Sequence, residues 1–233
     1  VGPGTHDPSG DVEMVEKELD LWILGIVEKD WEKAARIAEQ TGGNIVQHLA
    51  SRLTGLAIDE ETIEAALLHF KLKREKPTAW SDGDLRALVK WLREKTLPSL
   101  VAANKADLPT SKPNIEKLKS GERTVVPCAS EAELLLRKAA EQGLIRYTPG
   151  SNSFEVLKRD GMTPAQSRAL DLVHERVLRV WGGTGVQQAI DQAYFGLLKA
   201  IVVFPVEDES KLSDKNGNVL PDAHVMKGGS TAL

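Results

Sequence analysis

Asn104-Lys105-Ala106-Asp107 follows Ser99-Leu100-Val101-Ala102-Ala103, a short apolar run of the buried-strand type. In open α/β sheets, ligands sit beyond the carboxyl ends of the strands, where this polar loop falls. An ionised Asp only accepts hydrogen bonds, so the two oxygens of Asp107 can take two adjacent donors. The Watson–Crick edge of guanine presents such a pair, the ring N1–H and the exocyclic amino group. Adenine has an acceptor at the ring position and lacks that amino group. A charge-assisted hydrogen bond is worth roughly 1.5–3 kcal/mol. Losing two gives discrimination on the order of hundreds- to thousands-fold, since about 1.4 kcal/mol is tenfold. The Asn104 amide can reach the Hoogsteen edge of the same base and tie neighbouring loops together. The aliphatic stem of Lys105 can lie on the purine face while its ammonium stays in water. The bland alternative is a solvated polar turn after a strand.

A second stretch has a related character. Val125-Val126-Pro127-Cys128-Ala129-Ser130 reads as a strand that ends in small residues and opens a helix. Backbone N–H groups at Cys128, Ala129 and Ser130 can bind a purine carbonyl. Cys128 could be a thiol nucleophile, but no His lies near it, and a small buried residue is the better reading. Gly182-Gly183-Thr184-Gly185 invites comparison with a phosphate loop, yet no Lys follows and no strand precedes it. A break between helices suits it better. The five histidines do not cluster with acids at metal-ligand spacing. Lys71-Leu72-Lys73-Arg74-Glu75-Lys76 could meet RNA, although such a run is more often a solvated helix end.

Strands and helices must hold these loops. Val12, Val15, Leu19, Trp22 and Ile26 fall on one helical stripe, with Asp11 placed to cap its start. A second helix follows Asp30 and ends at Gly42-Gly43. A third carries Ile45, Leu49 and Leu53. A fourth follows Asp59, with Ile63, Leu67 and Phe70 inward, and Pro77 closes that run. Ser81 caps a fifth with Leu85, Leu88 and Leu92. After the strand at 99–103 come a short helix from Pro113 to Lys119, a strand from Arg123 to Pro127, and a helix from Glu131 to Gln142. Leu134, Leu135 and Ala139 are its expected inward face. Strand alternating with helix implies a parallel sheet covered by helices. Thr163 caps a long helix carrying Leu170, Val173 and Val177, and a further helix runs from Val186 to Lys199. Ile201 to Phe204 reads as a strand, and Asn216-Gly217 as a hairpin turn between Lys211–Ser213 and Val219-Leu220.

With 233 residues and 41% hydrophobic content, the chain can build one or two cores. A net charge of −4 and a pI near 5.8 give no domain-wide basic field for nucleic acid. A single cysteine excludes an internal disulfide. No apolar run reaches the roughly 18 residues that a membrane helix needs. No targeting segment is apparent, so a cytoplasmic location is expected. Val1-Gly2-Pro3-Gly4 has a loop composition without an initiator Met, and Ser230-Thr231-Ala232-Leu233 reads as a helix start. Both ends suggest a piece of a longer protein.

The chain resembles the Obg-like, YchF-type GTPases, and their archaeal branch above all. The resemblance rests on His6-Asp7-Pro8 with Asp11-Val12-Glu13, on Glu18-Leu19-Asp20-Leu21-Trp22, and on Asn104-Lys105-Ala106-Asp107-Leu108-Pro109. It continues through Val126-Pro127-Cys128-Ala129-Ser130-Glu131-Ala132-Glu133-Leu134 and Gly183-Thr184-Gly185-Val186-Gln187. It ends with Phe204-Pro205-Val206-Glu207-Asp208-Glu209 and Asn216-Gly217-Asn218-Val219-Leu220-Pro221-Asp222-Ala223. It implies an α/β fold: part of a P-loop-GTPase-type parallel sheet with a helical insertion, then the start of a β-grasp (TGS) domain. The implied divisions are 1–145 for the carboxyl-terminal part of the GTPase domain, with its insertion at about 28–80. A helical connector at 146–197 and the TGS start at 198–233 follow.

The implied ligand is GTP, held at its base by Asn104, Lys105, Asp107, Cys128, Ala129 and Ser130. Some relatives replace the Asn-Lys-x-Asp loop and accept ATP; this chain keeps Asn104, Lys105 and Asp107. Three features depart from the family. The phosphate loop G-x-x-x-x-G-K-[ST], the switch segments and the Asp-x-x-Gly turn are absent, Ala129-Ser130 reverses the usual Ser-Ala order, and the TGS region is short. Phosphate-binding amides and a Lys supply most nucleotide affinity and the catalysis. The chain alone is therefore expected to bind GTP poorly and to hydrolyse none, with Mg²⁺ expected only in the full-length protein. Ribosome or RNA contact is a further implied partnership; membrane and DNA are not. Three classes stay open: a translation-linked GTPase, an RNA- or ribosome-docking module, and a helical interaction protein with a chance polar turn.

Overall fold

A computed structural model describes residues 7–230. The Val1–Gly4 loop, His6 and the Thr231–Leu233 part of the expected helix start lie outside the described residues. Two compact units form, residues 7–99 and residues 100–230.

The first unit is all helical: α1 (Pro8–Glu28), α2 (Trp31–Thr41), α3 (Ile45–Leu53), α4 (Glu60–Phe70) and α5 (Asp82–Thr96). α5 packs against α1 and α4, and α3 against α1, α2 and α4. Side chains set most boundaries. Asn44 accepts from the amides of Val46 and Gln47, Asp59 from that of Thr62, and Ser81 and Asp84 form a reciprocal capping box. α2 ends where Gly42 turns left-handed at φ 67°. α4 ends at Lys71, also left-handed, well before Pro77. The core includes Ile45, Leu49, Leu53, Ile63, Leu88 and Leu92, all nearly inaccessible. Arg93 is buried too and reaches Asp20 at 2.5 Å.

α1 differs from expectation in two ways. Asp7, not Asp11, caps it, accepting from the Ser9 amide at 3.0 Å. Its buried residues are Ile23, Leu24 and Val27, whereas Val15, Leu19 and Trp22 are exposed. Periodicity tells which residues share a face; whether another element covers that face is a tertiary matter.

The second unit holds β1 (Leu100–Ala103), α6 (Ser111–Lys119), β2 (Thr124–Pro127) and α7 (Ser130–Glu141). β1 and β2 pair in parallel, with Leu100 opposite Thr124 and Ala103 opposite Pro127. This matches the expected parallel arrangement, in a sheet of two strands. A hairpin of β3 (Ile145–Arg146) and β4 (Glu155–Val156) follows, unexpected in a stretch read as helical. Two-residue strands leave no readable period.

α8 (Pro164–Val173) starts with a Thr163–Gln166 capping box and runs through a π turn (His174–Leu178) into α9 (Arg179–Trp181). Leu170, Val173 and Val177 are buried as expected, packing with Leu136 and Ile145. On α7, Leu135 and Ala139 pack against this core as expected, beside the buried Ala132, Glu133 and Leu136, whereas Leu134 is exposed. α10 (Val186–Asp191) continues through a second π turn (Gln192–Leu197) to β5 (Ala200–Val203). β5 pairs antiparallel with β6 (His224–Lys227), which the sequence pattern did not reveal. Gly217 turns at φ 83° beside Asn216, and across that turn Ser213 bridges Val219, the Asp214 amide donates to the Asn218 carbonyl and the Leu220 amide to the Leu212 carbonyl, as the expected hairpin requires.

Leu49 is 1% exposed at the centre of the helical core. Leu49→Ala should lower unfolding free energy by about 2–5 kcal/mol through lost contacts and a residual cavity. Urea denaturation followed by far-ultraviolet circular dichroism checks this; a loss below about 1 kcal/mol would mean the site collapses without a cavity.

Candidate functional site at the strand ends

The ladder between β1 and β2 does not stop at the strand ends. The Cys128 amide donates to the Ala103 carbonyl at 3.0 Å, and the Ala106 amide donates back to the Cys128 carbonyl at 2.9 Å. Asn104 and Lys105 are therefore a two-residue excursion held at both sides. Lys105 takes a left-handed backbone, φ 64°. Asn104 makes that conformation tolerable by accepting from the Lys105 amide through Oδ1 at 2.9 Å. The same Oδ1 accepts from the Ser130 amide at 3.1 Å. The predicted tie between the two loops is thus in place.

The Ala106 carbonyl accepts from Ser111 Oγ and from Trp181 Nε1, each at 3.0 Å. This anchors the peptide immediately before Asp107. Asp107 is half-buried, and among the described residues its carboxylate has no hydrogen-bond or ion-pair partner. Lys105 is exposed.

The three small residues of the second loop behave differently from a row of free donors. The Cys128 amide is engaged by Ala103 and the Ala129 amide donates to the Thr184 carbonyl at 2.8 Å. The Ser130 amide is the one turned toward the Asn104 side chain. A strand that continues its ladder consumes its own terminal donors, so Cys128 and Ala129 contribute shape rather than N–H groups. Cys128 is also buried, and burial pushes its thiol pKa up, which keeps it protonated and inert.

Gly182-Gly183-Thr184-Gly185 is a break between helices, as expected, but one fitted against β2. A Cβ on Gly185 would lie 1.8 Å from the Pro127 carbonyl oxygen, and its φ is 78°. Only glycine fits there. Thr184 is 1% exposed and donates its hydroxyl to Glu133 Oε2 at 2.5 Å. Tyr147 donates to the same oxygen at 2.8 Å, and Arg137 Nε donates to Oε1 at 2.6 Å. Among the described residues, no group of three or more His, Cys, Asp or Glu is arranged to hold a metal ion.

Residues 102–208 match the family described as Obg-like GTPase YGR210-like, G4 motif-containing domain. This stretch is thus similar to an Obg-like GTPase family domain. An uncharacterized GTP-binding protein of Methanocaldococcus jannaschii is 44% identical over 229 residues, covering 97% of this chain and 56% of its own length. An uncharacterized GTP-binding protein of Schizosaccharomyces pombe is 30% identical over 241 residues, 97% of this chain and 57% of its own. The chain thus spans little more than half the length of these relatives. A crystal structure of a GTP binding protein from Pyrococcus horikoshii OT3 superposes with a TM-score of 0.75 at 36% identity, over 98% of this chain and 60% of that one. Mixed α/β architecture with a small parallel sheet is shared with that structure.

In the second unit, Glu133 is the residue that sequence reasoning passed over. An acidic residue in an amphipathic helix reads as solvated, and its three donors come from Arg137, Tyr147 and Thr184. Its one sequence signal was position: it lies one turn after Ala129, to whose carbonyl its amide donates. Burial raises the Glu133 pKa, but the hydrogen bonds from Thr184, Arg137 and Tyr147 outweigh it and hold the carboxyl below its ordinary 4.5. Burial, then the bond to Glu133, pushes the Tyr147 phenol up. A carboxylate depressed on folding stabilises fully above its unfolded pKa and loses that contribution as pH falls through the folded value. Glu133→Gln should therefore flatten the acid limb of Tm between about pH 5 and 3. At pH 7 it should cost about 1–3 kcal/mol. Thermal unfolding of both proteins across pH measures this, and parallel acid limbs would refute it.

Proposed function

We propose that the two loops form the base-binding half of a GTP site, with Asp107 reading the N1–H and amino group of guanine. The partnerless, half-buried Asp107 carboxylate carries this reading. It sits beyond β1, of which only Ala103 is buried, on a loop pinned through Ala106. A carboxylate with no donor among the described residues, in such a setting, is ready to accept two from a ligand. Asn104 supports the same reading, since its Oδ1 joins Lys105 to Ser130 beside that carboxylate. The Lys105 stem covers the purine face. The Ser130 amide is the donor available to exchange Asn104 for the purine carbonyl. The names of the similar proteins, GTP-binding in each case, agree with this chemistry.

The whole protein, on this proposal, is a cytoplasmic, ribosome-associated GTP hydrolase of the YchF type. Residues 1–145 supply the carboxyl-terminal part of its GTPase domain, 146–197 a connector, and 198–233 the opening of a TGS domain. The antiparallel β5–β6 pair supports the last assignment. No G-x-x-x-x-G-K-[ST] motif occurs in this chain. Phosphate and Mg²⁺ contacts and hydrolysis are accordingly assigned to other parts of the whole protein. RNA docking through residues 71–76 has less support, because Arg74 is paired with both Glu64 and Glu75.

Asp107→Asn in the intact protein should weaken GTP by roughly 100-fold or more, from the loss of charge-assisted bonds. It should strengthen xanthosine triphosphate, which carries a carbonyl where guanine carries its amino group. Calorimetric titration with both nucleotides decides the matter: an unchanged GTP affinity removes Asp107 from the site.

A further inference from the structure

One short segment, residues 181–185, fastens both loops of the candidate base site. Trp181 Nε1 donates to the Ala106 carbonyl, next to Asp107. The Thr184 carbonyl accepts from the Ala129 amide, next to Ser130. Ala129 is the N-cap residue of α7 and has no polar side-chain atom with which to cap it. The Thr184 main chain occupies that residue's own amide instead. Thr184 is in turn fixed by its hydroxyl, which donates to the buried Glu133 carboxylate one turn into α7. Tyr147 and Arg137 complete the shell of that carboxylate. Gly185 sits so close to Pro127 that any side chain would separate the segment from the strand end.

We propose that Trp181 and Thr184 are positioning residues of the base pocket, acting as a tie-bar that sets the spacing between the Asp107 loop and the Ser130 loop. Base selectivity then depends on a segment far downstream of both loops. Neither residue touches the base on this account; each acts through a backbone atom beside one that does. The inference rests on the guanine reading given above. Its two arms are separable, because Trp181 holds the loop that reads the amino edge and Thr184 holds the loop that faces the purine carbonyl.

The test uses the intact protein and three nucleotides: GTP, xanthosine triphosphate and 6-thioguanosine triphosphate. The sulfur analogue keeps the N1–H and amino group but carries a weaker acceptor at the 6-position. Its disadvantage against GTP therefore reports the Ser130 side, while that of the xanthine nucleotide reports Asp107. Thr184→Val should reduce the preference for GTP over the sulfur analogue about 5- to 10-fold, the worth of one misplaced hydrogen bond. It should leave the preference over the xanthine nucleotide within about twofold, and Thr184→Ser should restore the original ratio. Trp181→Phe should show the reverse pattern. Tyr147→Phe removes only one donor to Glu133 and should produce a smaller shift in the same direction as Thr184→Val, which keeps the test open if the valine variant does not fold. The proposal is overturned if these variants lower the unfolding midpoint while both preferences stay at their original values. It is also overturned if the unaltered protein binds GTP and the sulfur analogue equally. A failure of Asp107→Asn to change the GTP-to-xanthine ratio would instead remove the guanine reading itself.

Discussion

Two backbone hydrogen bonds past the ends of β1 and β2 hold the rest of the site in place. Cys128 donates to Ala103, and Ala106 donates to Cys128. With the chain clamped at Ala103 and Ala106, the intervening pair must bulge outward. Lys105 takes the left-handed conformation that such a bulge requires, at a cost that the Asn104 side chain offsets by capping its amide. A flexible loop could present the same four side chains, but it would have to order them on binding and lose affinity in doing so. Here the ordering is a property of the strand pairing.

The buried Glu133 carboxylate extends that clamp into the rest of the second unit. A buried charge is tolerable only when its oxygens are satisfied, and Glu133 receives donors from its own helix, from the β3 side and from the helix break. Arg137 is one turn away on the same helix, but Tyr147 and Thr184 lie 14 and 51 residues from Glu133. The network therefore forms only when α7, the Tyr147 strand end and the Thr184 break are all in place. That makes it a check on correct assembly as well as a source of stability. The glycine at 185 serves the same end by a different means, allowing the break to approach the Pro127 carbonyl more closely than any side chain permits.

Much of the helical architecture was readable because helix ends are written locally. Asn44, Asp59, Ser81 and Thr163 each cap a helix, and Gly42 ends one, as their residue types dictate. The readings that missed depend on what lies across from a face. Val15, Leu19 and Trp22 have the right spacing for a packed stripe and are exposed, while Leu134 was expected inside and Glu133 is there instead. β3, β4 and β6 were missed because strands this short, or this exposed, show no alternation.

For the site, the sequence alone determined the chemistry on offer: an acceptor-only carboxylate two residues after a lysine, on a polar loop closing an apolar run. Those are properties of residue type and spacing, and they survive any placement of the chain. Tertiary structure decided which groups remain free to act. It consumed the Cys128 and Ala129 amides in the ladder and against Thr184, and left the Asp107 carboxylate without a partner among the described residues. It also brought Trp181, Thr184 and Glu133 to the loops. The reason is that hydrogen-bond donors are shared out by long-range pairing, and no local pattern records which of them the fold will use.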